Sequence, residues 1–218
     1  MKSNYQKINI GVGKFSILTS RFSLLLFIIF TNSANANDGN EAPFGFAWGM
    51  SQSQVQNLVK SINKTSSNGK FSFLEFSKAP KNLSNAEKYV AVFDKQYGLQ
   101  KLIFASKKIE SDIYGDNGKS QYEDLKKAIV NKYGKPTDNA EIVGLHLFKD
   151  TDEFYQCLKY DGCGGWLSIW KGTPNIMLEL NGLSRGVGYI RLTYEGPKWG
   201  VAVDESNEEK QKANQSAL

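Results

Sequence analysis

The sequence predicts an α+β fold in which an antiparallel sheet packs against two helices. Two segments repeat apolar residues with the period of a helix, and several other runs are rich in β-branched and aromatic residues. Their order is a helix and three strands, then a helix and three or four strands. This order suggests a tandem repeat of a helix-plus-three-strand unit, with halves at 44–110 and 119–196, inside a single domain spanning 37–203.

The first 36 residues have the pattern of a secretory signal peptide. Four basic residues and no acid precede the apolar run 22–30, and the segment ends in Ala34-Asn35-Ala36, an A-x-A cleavage site. The apolar run is far shorter than the roughly 20 residues of a membrane-spanning helix. We therefore expect cleavage before Asn37 and a soluble periplasmic or secreted protein, with a retained signal anchor as the alternative.

The charge balance argues against nucleic acid or an anionic membrane as a partner. The chain has 27 Lys and Arg and 22 Asp and Glu, and four of the basic residues lie in the signal peptide. Cleavage would leave 23 basic against 22 acidic residues, a net charge of +1. We expect no stable insertion into a membrane after cleavage.

Cys157 and Cys163 are predicted to form a disulfide bond. They are the only cysteines, and export would place them in an oxidising compartment. Because the loop between them is short, the bond should shape this loop more than it stabilises the fold.

The first half begins with a capping box of Ser51 and Gln54. A helix over 52–63 follows, in which the apolar residues lie on one face; they are Val55, Leu58, Val59 and Ile62. Three antiparallel strands are then predicted at 71–77, 88–94 and 99–109, the last two joined by a turn at 95–98.

The second half begins with a capping box of Ser120 and Glu123 and a helix that ends at Gly134 and Pro136. Strands are predicted at 141–149, 166–171, 175–180 and 187–194. Residues 204–218 offer almost nothing apolar to bury, and we expect a disordered polar tail there.

Two short motifs support a resemblance to known proteins. The helix entry Phe44-Gly45-Phe46-Ala47-Trp48-Gly49-Met50-Ser51 and the helix ending Tyr133-Gly134-Lys135-Pro136 resemble those of a group of exported bacterial proteins of unassigned function. The helix-then-sheet order is similar to the fold shared by an outer-membrane assembly lipoprotein and the β-lactamase inhibitor protein. The resemblance implies binding to another protein; it transfers no site, and this chain lacks the lipidated cysteine of the lipoproteins.

No catalytic constellation is convincing in the sequence. Residues 182–186 spell G-x-S-x-G, but a strand follows, and His146 precedes Ser184, against the order of that hydrolase family. His146 fits a strand histidine better than a base. Scattered carboxylates leave an exported hydrolase as an alternative; they are Asp150, Asp152, Glu153 and Glu179.

Metal sites are also poorly supported. One histidine and two paired cysteines cannot form a usual zinc or copper site. Residues 112–123 place Asp112, Asp116 and Glu123 at three EF-hand positions, but Asn117 occupies the position that requires glycine. We expect neither a metal nor an organic cofactor.

The C-terminal strands offer the best candidate site. Alternation predicts a core face whose apolar members are Leu167, Ile169, Ile176, Leu178, Leu180, Ile190, Leu192 and Tyr194. The opposite face would then carry aromatic residues and arginine, a composition typical of protein-binding hot spots; they are Trp166, Trp170, Met177, Tyr189 and Arg191.

We therefore expect an exported, non-enzymatic, protein-binding or envelope-associated module. It would bind another envelope or secreted protein through this face or through the disulfide loop. Two alternatives to an exposed face are a cover formed by a loop or by residues 199–203, and a strand register shifted by one residue.

Overall fold

The computed structural model describes residues 40–217, so the predicted signal peptide lies outside the described residues. The helices are α1 (Gln52–Leu58), α2 (Asp116–Tyr133), α3 (Phe154–Lys159) and α4 (Trp199–Ser216). The strands are β1 (Lys60–Asn68), β2 (Phe71–Lys78), β3 (Ala86–Asp94), β4 (Gly98–Ser106), β5 (Asp138–Ile142), β6 (Gly165–Trp170), β7 (Asn175–Ser184) and β8 (Val187–Glu195).

The eight strands form one antiparallel sheet in the order β1-β2-β3-β4-β8-β7-β6-β5. Two meanders of four strands, β1–β4 and β5–β8, meet where β4 pairs with β8, and Phe104 lies opposite Leu192 at this junction. The predicted α+β class is confirmed. Helix α1 is followed by four strands where the sequence predicted three, and helix α2 is followed by four where it predicted three or four, with α3 between β5 and β6.

Helix α1 is shorter than predicted. Its capping box of Ser51 and Gln54 is confirmed, but the helix ends at Leu58 instead of continuing to residue 63. The next residues form β1, whose backbone pairs with β2 from Lys60 opposite Lys78. Ser, Thr and Asn side chains compete with helical hydrogen bonds, and β1 is rich in them, so the edge of the sheet is the better place for this segment.

Helix α2 begins earlier than predicted, and the capping box of Ser120 and Glu123 is wrong. The carboxylate of Asp112 accepts hydrogen bonds from the amides of Asn117 (3.2 Å) and Gly118 (2.9 Å) at the N-terminus of the helix. Ser120 therefore lies inside the helix. The predicted C-terminus is confirmed, because the helix ends at Tyr133.

The predicted strand over 141–149 is wrong beyond residue 142. Gly144 and Phe148 both have positive φ angles (76° and 52°), which end the extended backbone. His146 is exposed in this loop. The predicted disulfide between Cys157 and Cys163 is confirmed, and it attaches to this loop because the amide of Leu145 donates to the Cys163 carbonyl (2.9 Å).

The C-terminal residues form helix α4 instead of the predicted disordered tail. Ala202 and Ser206 are buried. Glu205 binds the ammonium of Lys70 (2.6 Å) and accepts from the hydroxyl of Tyr97 (2.8 Å). The polar composition of residues 204–218 does not reveal that Glu205 has two partners, Lys70 and Tyr97, which lie in distant turns. Residues 207–216 are exposed all around the helix.

The core lies on the face of the sheet that carries α2 and α3. Its members on the sheet alternate with exposed or half-buried positions; they include Leu74, Phe76, Tyr89, Leu102, Phe104, Ile176, Leu178, Leu180, Ile190, Leu192 and Tyr194. Helices α2 and α3 contact β7, and α2 also contacts β8. Within residues 40–217, no helix is both long and apolar enough to cross a membrane.

Candidate functional site

Strand β6 faces the opposite way from the prediction. Trp170 is only 4% exposed, and its indole Nε1 donates to the carbonyl of Gly134 (2.8 Å). Ser168 is fully buried and lies 2.7 Å from the hydroxyl of Tyr122 on α2. The even-numbered residues of β6 therefore point to the helices, and Leu167 and Ile169 are on the other face.

The predicted binding face is accordingly split between the two sides of the sheet. Met177, Tyr189 and Arg191 alternate with buried core residues and lie on the side away from α2 and α3. Trp166 packs on Phe154 instead, with ring centroids 5.4 Å apart. Both faces of β6 carry large apolar side chains, so alternation alone could not choose its register.

The face away from α2 and α3, here called the open face, carries a row of four partly exposed apolar residues and one buried threonine. Register pairs align one residue from each of five neighbouring strands; they are Ile169, Met177, Thr193, Ile103 and Val90. At about 4.8 Å between strands, the row is roughly 19 Å long. We call these five residues the central row.

Ion pairs flank the central row on both sides. Arg191 donates to both carboxylate oxygens of Glu179 (2.7 and 2.9 Å), and this bond raises the pKa of the arginine above its usual value. On the other side, Lys101 donates to Glu195 (2.9 Å). In both pairs the acid and the base lie on adjacent strands and neutralise each other. The central row is therefore bordered on each side by a paired charge.

Two hollows lie at opposite ends of the open face. One, of about 320 Å³, lies over β6–β8 and is lined in part by Ile169, Met177 and Thr193. The other, of about 610 Å³, is lined in part by Tyr189 and Leu183. The open face is therefore uneven: the smaller hollow is bordered by residues of the central row, and the larger one is lined mainly by lysine and glutamate. A partner side chain could fill either of them.

Helix α4 reaches only the margin of the open face. The ring of Trp199 packs against Phe71 (5.4 Å between centroids), and the Lys101 ammonium lies 4.7 Å from the Trp199 ring centroid. Residues 199–203 therefore cover the margin of the open face, as the alternative prediction proposed, but they do not cover its centre. Ile103, Met177 and Ile169 remain partly exposed.

A second apolar surface surrounds the disulfide bond. Four side chains there are about half exposed; they are Ile142, Leu145, Leu147 and Tyr160. The amide of Gly144 lies 3.1 Å from Cys157 Sγ. The backbone of the loop is thereby attached to the disulfide, which presents these side chains on a fixed support.

The G-x-S-x-G motif forms the hairpin between β7 and β8. Ser184 ends β7, Arg185 and Gly186 form the turn, and no helix follows. A Cβ atom at Gly182 would lie 1.8 Å from the carbonyl oxygen of Tyr155 on α3, so this glycine permits close packing of α3 on the sheet. The motif is structural here.

The carboxylates considered for a hydrolase each have a structural partner. Asp152 pairs with Arg185, and Glu179 pairs with Arg191. Glu153 accepts from the amide of Asp150 (3.2 Å) in a capping box at the start of a 3₁₀ turn. These structural contacts account for the positions of the four carboxylates, and none of the contacts pairs two of the carboxylates across a cleft.

Asp112 likewise has partners that explain it without calcium. Besides capping α2, it accepts from the hydroxyl of Tyr155 (2.8 Å). Across residues 40–217, no three His, Cys, Asp or Glu side chains are grouped so as to hold a metal ion.

No protein-family model matches the chain, and no curated protein or solved structure is significantly similar to it.

Proposed function

We propose that this chain is an exported protein-binding module and that its partner docks on the open face of the sheet. The observation that carries the proposal is the central row, a mainly apolar strip that lies beyond the margin reached by α4. Partly exposed apolar residues surrounded by paired charges have the composition of an interface centre with a polar rim.

The flanking ion pairs favour specific recognition over general adhesion. Arg191 is held in a fixed orientation by two hydrogen bonds to Glu179. A partner must therefore fit both the apolar strip and a rigid polar border. Such a border contributes more to the choice of partner than to affinity.

Export of the chain remains part of the proposal. The N-terminal pattern motivates it, and the disulfide bond is compatible with an oxidising compartment such as the periplasm or the extracellular space. The loop braced by the disulfide is a second surface that such a partner could contact, since Leu145 and Leu147 are half exposed.

The test is affinity capture from cell-envelope extract with the oxidised chain starting at Asn37. Replacement of Met177 by aspartate inserts an unpaired charge into the central row, and we expect at least a tenfold weaker capture of any specific partner. Lys127→Asp, at an exposed position of α2 on the other side of the sheet, is the matched control. Equal capture by both variants would refute the open face as the docking site.

A further inference from the structure

A cavity of about 190 Å³, widely open to solvent, lies on the helix face of the sheet, on the side opposite to the open face. Its walls are mainly apolar and come from the segment before α1, from the connection between β2 and β3, from α2 and from β8; the residues used below are Phe44, Ala128, Lys132 and Tyr194. Taking about 30 Å³ for a water-sized group, the cavity holds about six such groups.

Phe44 forms one wall in a strained backbone conformation. Its φ angle is 62°, in the left-handed region that phenylalanine rarely adopts. The conformation is held on both sides, because the amide of Lys81 donates to the Phe44 carbonyl (2.9 Å) and the amide of Ala42 donates to the Phe46 carbonyl (3.0 Å). Strain of this kind persists where surrounding contacts maintain it, and it often marks a binding site.

Tyr194 lines the cavity and can supply it with a hydrogen-bond donor. The residue is 6% exposed, and its ring packs edge-on against Phe44 (5.8 Å between centroids). Its hydroxyl makes no hydrogen bond to any residue in the range 40–217. Burial raises the pKa of Tyr194, so the hydroxyl keeps its proton and can donate.

Lys132 gives the mouth of the cavity a positive charge. Its side chain is 53% exposed, and its one acidic neighbour among the described residues is Glu41 at 4.0 Å, the limit of an ion pair. No acidic residue lines the cavity itself. A donor inside and a cation at the mouth complement an anion attached to a short apolar chain.

We propose that this cavity binds a short aliphatic carboxylate, with its chain among the apolar walls and its carboxylate accepting from the Tyr194 hydroxyl near Lys132. The cavity holds about six water-sized groups, so a chain of about six carbons fits it, and hexanoate is a suitable probe. The proposal does not depend on the open face, and the two can fail separately.

The experiment is a titration of the folded chain with hexanoate, followed by backbone amide chemical shifts. We expect saturable shifts at residues 125–133 and 192–194, and weaker binding of hexan-1-ol and hexylamine, which lack the negative charge. Tyr194→Phe should weaken hexanoate binding about tenfold, because it removes a hydrogen bond to a charged group. Lys132→Gln should weaken it a few-fold.

A filled cavity provides the decisive variant. Ala128 is exposed on α2, so Ala128→Trp can place an indole in the mouth without replacing a core residue, and it should abolish the shifts. Lys127→Gln, one residue away and outside the lining, should bind as the unaltered chain does. Absence of saturable shifts, or equal binding by Ala128→Trp, overturns the proposal. Melting curves for each variant verify that the fold is intact.

Discussion

Replacing Gly182 with alanine should destabilise the protein, because three glycines surround Tyr155. A Cβ atom at Gly118 would lie 2.1 Å from the Tyr155 hydroxyl, and one at Gly188 would lie 2.1 Å from its ring. At Gly182 the Cβ atom would lie 1.8 Å from the Tyr155 carbonyl oxygen and 2.9 Å from the amide nitrogen of Lys159. Both atoms at Gly182 belong to the backbone of α3, so no side-chain rotation relieves the overlap.

The size of the effect follows from the need to move α3 away from the sheet. Overpacking a core costs about 1–3 kcal/mol, and a clash with backbone should reach the upper end of that range, about 3 kcal/mol. For a domain of this size, each kcal/mol lowers the melting temperature by roughly 2–4 °C, so we expect a decrease of roughly 6–12 °C. Urea denaturation would measure the free energy of unfolding directly.

Gly200 provides the matched control for this substitution. It lies in α4, and nothing lies within 4 Å of the Cβ atom that alanine would add. Gly200→Ala should be neutral or stabilise by up to about 1 kcal/mol, since alanine favours a helix. If Gly182→Ala were as stable as Gly200→Ala, the packing of Tyr155 against the sheet would be wrong, and the G-x-S-x-G motif would again need an explanation.

Three further changes have expected outcomes. Trp170→Ala should cost about 3–5 kcal/mol in urea denaturation, as expected for a buried core side chain, and a loss below 1 kcal/mol would contradict its burial. Replacing both cysteines by serine should cost about 2 kcal/mol and increase hydrogen exchange of the loop 143–149, whereas unchanged exchange would show that the disulfide does not brace the loop. Burial acts to raise the pKa of Asp94, but hydrogen bonds from the Tyr97 and Gln96 amides and the ion pair with Lys70 outweigh it, so the pKa lies below its usual value. Asp94 therefore stabilises the fold at neutral pH and loses this effect as the pH falls through its ordinary value of roughly 3.9 toward the lower folded pKa. The difference in unfolding free energy between the unaltered chain and Asp94→Asn should shrink over that range, and a constant difference would contradict the assignment.

Most strands could be predicted from the sequence because their apolar residues alternate clearly. The residues at even positions from Ile176 to Leu180 and from Ile190 to Tyr194 are buried as expected. Strand β1 was missed because it is an edge strand whose residues are all exposed, so no buried face imposes a pattern. Its first residues also continue the helical spacing of α1, and only pairing with β2 decides between the two structures.

The candidate site was predicted less well than the fold. On β7 and β8, buried and exposed positions differ clearly in polarity, so Met177, Tyr189 and Arg191 were assigned to the correct face. On β6, Trp166 and Trp170 alternate with Leu167 and Ile169, and both sets are apolar. The choice depends on Tyr122 of α2, whose hydroxyl lies 2.7 Å from the Ser168 hydroxyl across the core. A contact between residues so distant in the sequence has no local signal.

The most direct test of the proposed function is site-specific photo-crosslinking in the cell envelope. A photoreactive amino acid would replace Met177 in the central row or, as the control, Lys127 on α2. We predict a crosslinked adduct with another envelope or secreted protein from position 177 and none from position 127. An adduct from position 127 alone, or none from either position, would contradict the assignment of the open face as the surface that binds a partner.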